Sequence, residues 1–212
     1  MKIAFFDFSP DLQLLLKRDL RGTLNINGRG IGLDYITQNG DRIEVRTVAP
    51  ADLTEEPRFV LDGHLGKLAS HLRMLGLDCL YDNTYEDEEL VRISVEEGRI
   101  LLTRDRLLLM HKVITQGYLL RSLNSTEQLY EVVRRYGLGK WVKPFQRCLN
   151  CNHLLEPVEK DLILEKLEPL TKEYYFDFKL CPACDQVYWK GSHYEKMLRV
   201  IENIAAGNHT PE

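Results

Sequence analysis

Two absences bound the chain before any motif is read. No run approaches the roughly 18 consecutive apolar residues of a membrane-spanning helix. The opening run Met1-Lys2-Ile3-Ala4-Phe5-Phe6 reaches Asp7 too soon to form the apolar centre of an export signal. The expectation is a soluble, cytoplasmic chain with no membrane partner. An excess of cations is also missing, since 28 Lys and Arg stand against 32 Asp and Glu for a net charge of −4. That argues against a wholesale nucleic-acid coat protein but leaves local basic surfaces open, so charge has to be read by region. Cysteine is scarce, five in 212 residues. In a reducing cytosol, spaced cysteine pairs read as metal ligands rather than disulfides.

What is present divides into three segments, predicted at 1–56, 57–145 and 146–206. The first reads as a small α+β unit without a catalytic cluster. Lys2 to Phe8 has strand character, Ser9-Pro10-Asp11 opens a helix carrying Leu12, Leu15, Leu16 and Leu20, and Asp41 to Val48 alternates apolar and charged residues. Asn27-Gly28 and Asn39-Gly40 mark turns, and the acidic stretch Pro50 to Pro57 reads as a linker. From Arg58 the pattern becomes strand, helix, strand, helix. Arg58 to Leu61, Leu77 to Tyr81, Ile100 to Thr103 and Tyr118 to Arg121 are strands. Helices follow the first two, and a capping box at Ser125-Thr126-Glu127-Gln128 starts another after the fourth. Repeated strand and helix units predict an α/β domain, a parallel sheet covered on both faces.

Cys148-x-x-Cys151 and Cys181-x-x-Cys184 form two knuckles, with residues 152–180 between them. Each short loop can turn two sulfurs toward one ion, so the set predicts tetrahedral zinc. Four cysteines close the coordination shell, which makes the expected zinc structural rather than catalytic. Cys79, inside an apolar strand, reads as a core residue.

Asp62 and Asp105 each follow an apolar strand directly, and Asp87 sits at a helix start within Thr84-Tyr85-Glu86-Asp87-Glu88-Glu89. Parallel strands end on one edge, where open α/β folds bind ligands. Three carboxylates meeting there repel each other unless a hard divalent cation, Mg²⁺ or Mn²⁺, neutralises them. Such an ion activates water against a phosphodiester, which is nuclease chemistry. A plainer reading stands beside this one: acids favour helix first turns, Thr84 and Asp87 have capping-box spacing, and a carboxylate after a strand can cap the next helix. Residues 99–147 hold ten Lys and Arg against three acids, an island suited to a phosphate backbone. Tyr188-Trp189-Lys190 can either stack a base or pack the ribbon core, and alternation along a strand sends the two rings to opposite faces.

Arg58-Phe59-Val60-Leu61-Asp62, Leu65-Gly66-Lys67-Leu68-Ala69, Leu72-Arg73-Met74-Leu75-Gly76, Glu97-Gly98-Arg99-Ile100-Leu101-Leu102-Thr103-Arg104-Asp105-Arg106 and Cys181-Pro182-Ala183-Cys184 occur in that order. Together with Val187-Tyr188-Trp189-Lys190-Gly191-Ser192-His193 they resemble the Mut-seven C-terminal RNase family over about residues 58–198. The resemblance implies a PIN-fold nuclease domain joined to a zinc ribbon, preceded by a shortened ubiquitin-like, β-grasp segment at 1–56. It implies that Asp62, Asp87 and Asp105 bind the catalytic metal and that RNA is the substrate. Lys67, Arg73, Arg104, Arg106 and Trp189 are the candidate substrate contacts. The chain departs from the pattern at Leu107, where related PIN-like domains can carry a further acid; Glu88 and Asp82 are candidate replacements. Two other readings stay open: an inactive module that binds RNA or a ribonucleoprotein, and a phosphohydrolase for small phosphate esters.

Overall fold

A computed structural model of the chain describes residues 22–27, 29–30, 40, 43–47, 51 and 53–206. The strand expected at Lys2–Phe8 and the helix after Ser9 lie outside those residues. Contacts divide the chain into two units, residues 1–50 and 51–212. In the first, β1 (Gly22–Ile26) pairs antiparallel with β3 (Ile43–Thr47) and with the short β2 (Arg29–Gly30). Asn27 turns the chain between β1 and β2 with φ 52°, a left-handed conformation that asparagine tolerates.

The larger unit is built on a parallel sheet of order β5-β4-β6-β7, formed by β4 (Arg58–Leu61), β5 (Asp78–Tyr81), β6 (Ile100–Thr103) and β7 (Gly117–Leu119). Side chains alternate across the two central strands. Phe59 and Leu61 of β4, with Ile100 and Leu102 of β6, enter one core, whereas Val60 and Leu101 enter the core on the opposite face. The first core is closed by α1 (Gly66–Met74) and α3 (Ser125–Tyr136). The second is closed by α2 (Asp87–Glu96), through Leu90 and Ile93, and by Leu108. Each fully buried Leu or Phe contributes roughly 1.5–3 kcal/mol relative to exposure. Among the described residues no helix is long and apolar enough to cross a membrane.

Two helix starts differ from their sequence signals. Thr84 does not cap α2: its N–H and hydroxyl both bond to Asp82 Oδ1, at 2.9 and 2.7 Å, and Glu86 takes the cap position. The cap of α3 is Asn124, one residue before the expected Ser125, and its Oδ1 accepts from the N–H groups of Thr126 and Glu127 at 2.9 and 3.2 Å. At α2 Asp82 holds Thr84 in its own turn and Glu86 makes no side-chain cap bond, whereas at α3 the short polar side chain of Asn124 caps the helix.

After α3 a second, antiparallel sheet of order β10-β9-β8 forms from β8 (Glu156–Val158), β9 (Phe178–Leu180) and β10 (Val187–Trp189), with the short α4 (Pro169–Tyr174) in the β8 to β9 connection. It has a small core of its own, Ile163, Leu167, Phe178 and Val187. The last helix, α5 (Tyr194–Ala205), does not join it. Ile201 and Ile204 are buried in the first core of the parallel sheet instead.

The chain entering the second sheet is fastened to the end of α1. Lys143 N–H donates to Leu75 O at 2.9 Å and Phe145 N–H to Met74 O at 3.1 Å, which satisfies carbonyls the helix end leaves open. Gly76 makes this approach possible: its φ is +92°, and a Cβ there would stand 2.0 Å from the Lys143 carbonyl oxygen. Gly76→Ala is therefore expected to cost about 3 kcal/mol or more. The test is the urea midpoint at constant m. A loss below about 0.5 kcal/mol would show that the segment does not lie on the helix end.

Candidate functional site

The sulfurs of Cys148, Cys151, Cys181 and Cys184 all lie within 4.8 Å of one another. Cys148 and Cys184 are 3.5 Å apart, and Cys151 and Cys181 3.3 Å. Four sulfurs about 2.3 Å from one zinc ion stand roughly 3.8 Å apart at the corners of a tetrahedron. The donor set fits zinc, and none of its members is in a disulfide. His153 and His193, near in sequence, are not part of the cluster.

The two knuckles share one backbone design. The N–H of the first cysteine donates five residues on, Cys148 to His153 O at 2.8 Å and Cys181 to Gln186 O at 2.9 Å. Its carbonyl accepts from the N–H four residues on, that of Asn152 or Asp185, at 3.0 and 2.9 Å. That fourth residue turns left-handed, φ 71° at Asn152 and 62° at Asp185, a conformation Asn and Asp accept more readily than other side chains. The Tyr188 hydroxyl lies 3.1 Å from Cys148 Sγ and accepts from Leu149 N–H at 3.0 Å. Burial raises the Cys148 thiol, but the Tyr188 hydroxyl and nearby backbone N–H groups outweigh it and hold the thiol down at about 7. Trp189 sits on the other face of β10, 39% exposed, with its ring 6.4 and 6.5 Å from those of Tyr175 and Phe178.

The first knuckle is bonded to β5, an edge strand. Asn152 Oδ1 accepts from Cys79 N–H at 3.0 Å, and Arg73 Nε donates to Cys79 O at 2.9 Å. The same Arg73 guanidinium donates to Leu149 O and Asn150 O at 3.0 and 2.7 Å. Arg73 is thus buried and committed to the knuckle, which corrects its expected place among the substrate contacts. Beside it, Asn152 Nδ2 and Arg99 both donate to Asp78 Oδ1, at 2.9 and 2.6 Å. Burial raises the Asp78 carboxyl, yet Arg99, Asn152 and Arg147 together hold it below the usual carboxylate range. A depressed folded-state value contributes stability that is present above the unfolded value and lost as pH falls through the folded one.

At the other end of the strands, two of the three expected acids are tied together. The ladder continues past β4 with Asp62 N–H donating to Leu102 O at 3.1 Å. Thr103, buried at the end of β6, donates its hydroxyl to Asp62 Oδ2 at 2.7 Å and accepts from Asp105 N–H at 2.8 Å. Asp105 Oδ1 in turn accepts from Leu107 N–H at 2.7 Å. One oxygen of each carboxylate accepts no hydrogen bond among the described residues. The sequence reading missed Thr103; its signal was a hydroxyl residue ending a buried strand two positions before an acid.

The third acid, Asp87, is the exposed first residue of α2. Asp82 follows β5, which pairs in register with β4 so that Leu61 faces Tyr81. Among the described residues, the cysteines form the one group of three or more His, Cys, Asp or Glu side chains whose ligand atoms lie within 4.8 Å of each other. The acids therefore share an edge but do not close on one point.

A cleft of about 520 Å³ opens next to Asp62 in the chain. Gly63, Gly66, Lys67, Arg104 and Ser125 are among its walls, and no carboxylate of the described residues lines it. The Tyr81 hydroxyl donates to Gly63 O at 2.8 Å, and a Cβ on Gly66 would meet that hydroxyl at 2.8 Å. Elsewhere four of the ten cations of the basic island are taken up by structure. Arg99 pairs with Asp78 and Glu97, Lys140 donates to Leu53 O, Lys143 pairs with Glu56, and Arg147 donates to Gly76 O and Asn152 O. Lys67, Arg104 and Arg106 remain exposed.

Residues 57–201, more than half of the chain, match the Mut7-C RNAse domain family. No curated protein and no solved structure matches the chain. The sulfur cluster generates a direct expectation: protein purified without chelator holds one zinc ion per chain by elemental analysis. Acidification should release it, because each thiolate that takes up a proton leaves the metal. Cys181→Ser should lower the zinc content and loosen the second, antiparallel sheet more than the parallel one, read by hydrogen exchange. Zinc-free protein, or a disulfide among these cysteines after reducing purification, would remove the assignment.

Proposed function

The chain belongs to the Mut7-C RNase family, and on that premise we propose that it hydrolyses RNA phosphodiester bonds with a divalent metal held at the C-terminal edge of the parallel sheet. The observation that carries this reading is the Asp62–Thr103–Asp105 chain of hydrogen bonds. Thr103 fixes one oxygen of Asp62 and the backbone of Asp105, leaving one oxygen of each carboxylate for a cation. Asp87 supplies a further ligand from the start of α2, and Asp82, at the neighbouring strand end, is a second source. Carboxylates with waters suit Mg²⁺ or Mn²⁺. When bound, such an ion neutralises the acids, lowers the pKa of a coordinated water and stabilises charge on the phosphate.

The cleft supports the same reading. Its volume falls within the range of small-molecule and cofactor sites, roughly 300–1,000 Å³, and Lys67 and Arg104 give it a cationic wall. In this reading they hold the phosphates flanking the scissile one, with Arg106 beside them. Trp189 offers a partly exposed ring for a base farther along the strand. A second reading draws on the spacing of the acids, which do not converge within 4.8 Å: an inactive module that binds RNA through the same cations.

Asp62→Asn, Asp87→Asn and Asp105→Asn are expected to lower divalent-dependent cleavage of single-stranded RNA at least about a hundredfold while leaving RNA affinity nearly intact. Thr103→Val, which keeps the shape but removes the hydroxyl, should cost about ten- to a hundredfold. Cleavage with Mg²⁺, with Mn²⁺ and without added metal decides the matter. Equal residual activity in wild type and all variants would identify a contaminating nuclease. Firm RNA binding by an inactive wild type would favour the binding module.

A further inference from the structure

Just beyond Asp105 the chain makes three short turns closed by hydrogen bonds between residues three apart. Met110 N–H donates to Leu107 O at 3.0 Å, His111 N–H to Leu108 O at 3.3 Å, and Ile114 N–H to His111 O at 3.1 Å. In turns of this kind, side chains three residues apart eclipse one another. Leu108 points inward, 1% exposed, and the partly buried Leu109 and Ile114 pack on the same core. Gly117 makes room for them: a Cβ there would stand 2.6 Å from Leu109 Cδ2. The other row points out. Leu107, Met110 and Val113 are 72%, 66% and 56% exposed, three apolar side chains spaced three residues apart along the chain, with the backbone extended at His111 between the last two.

Single exposed apolar residues are ordinary, but a row of them held on a hydrogen-bonded turn marks a contact surface. Charge identifies what fits it. Residues 106–126 contain no Asp or Glu. Arg104, Arg106 and Lys112 are exposed, and none of them forms an ion pair among the described residues. The complementary ligand is a polyanion with apolar faces. Single-stranded RNA with unstacked bases has that chemistry; a duplex does not, because its base faces cover one another. Leu and Met side chains are also among those that proteins wedge between base steps. Position agrees, since Leu107 N–H is bonded to Asp105 Oδ1 at 2.7 Å.

We propose that the Leu107, Met110 and Val113 ridge is a base-contacting lip that gives this chain its preference for unpaired RNA, with Arg104, Arg106 and Lys112 holding the adjoining phosphates. The proposal rests on the ribonuclease reading above. It assigns Leu107 and Met110 as substrate-selecting residues that take no part in the chemistry.

The test uses the full chain, a single-stranded RNA oligonucleotide carrying 2-aminopurine, and the same strand annealed to its complement, with no divalent ion added. Wild type should bind the single strand more tightly and raise its fluorescence as bases unstack. The double variant Leu107→Ala, Met110→Ala should bind the single strand about tenfold more weakly, leave duplex affinity unchanged and lose the fluorescence rise. Met110→Phe, which adds an aromatic face, should tighten single-strand binding. Both side chains changed are at the surface, so the fold is spared. Equal single-strand affinity and fluorescence for wild type and the double variant would overturn the lip and leave the ridge as a protein-docking surface. Cleavage separates the two readings. If wild type cleaves RNA but the double variant behaves identically, the lip alone falls; if wild type binds as described but cleaves nothing, the ribonuclease reading falls and the lip stands.

Discussion

The larger unit depends on how one edge of its sheet is covered. Strand β5 pairs with β4 on one side and, among the described residues, has no strand on the other. The outward N–H and C=O of Cys79 need partners there, and an open edge invites pairing with other chains. Asn152 and Arg73 meet both groups, one from the first cysteine knuckle and one from α1. Because Arg73 also holds the carbonyls of Leu149 and Asn150, the knuckle cannot leave the sheet without stranding a buried guanidinium. Removing one partner of such a network costs far more than the net value of the pair.

The metal-binding segment and the parallel sheet are therefore joined mechanically, even though they have distinct small cores. Residues 146–206 begin with a knuckle bonded to β5 and end with a helix whose Ile201 and Ile204 lie in the core of the sheet. At the C-terminal end of β5 the Tyr81 hydroxyl donates to Gly63 O, next to Asp62 in the chain.

Charge shows how composition and structure diverge. Ten cations between 99 and 147 read as one basic island, yet Arg99 and Arg147 are consumed by Asp78 and backbone carbonyls, and Lys140 and Lys143 secure residues 53–56. The cations left facing solvent near the acids are Lys67, Arg104, Arg106 and Lys112. Lys67 and Arg104 line the cleft, so the cations free to face solvent near the acids are fewer than the sequence suggests.

Features that depend on spacing along the chain were legible in the sequence. The paired cysteines, the alternation in β4 and β6, the helix stops and the acids following strands are local patterns, because a repeat of two or 3.6 residues directly reports which face is buried. The cysteine cluster was legible for the same reason: two short loops each bring two sulfurs together before any long-range contact forms. Features that depend on partners far apart in sequence were not legible. Thr103 reaches Asp62 across 41 positions, Arg73 reaches Asn150 across 77, and Asn152 reaches Cys79 across 73. Residue type says that a guanidinium or an amide must be satisfied once buried, but not by which group. That choice belongs to tertiary packing, which turned an expected substrate arginine into a structural clamp and an unremarked threonine into the link between two acids.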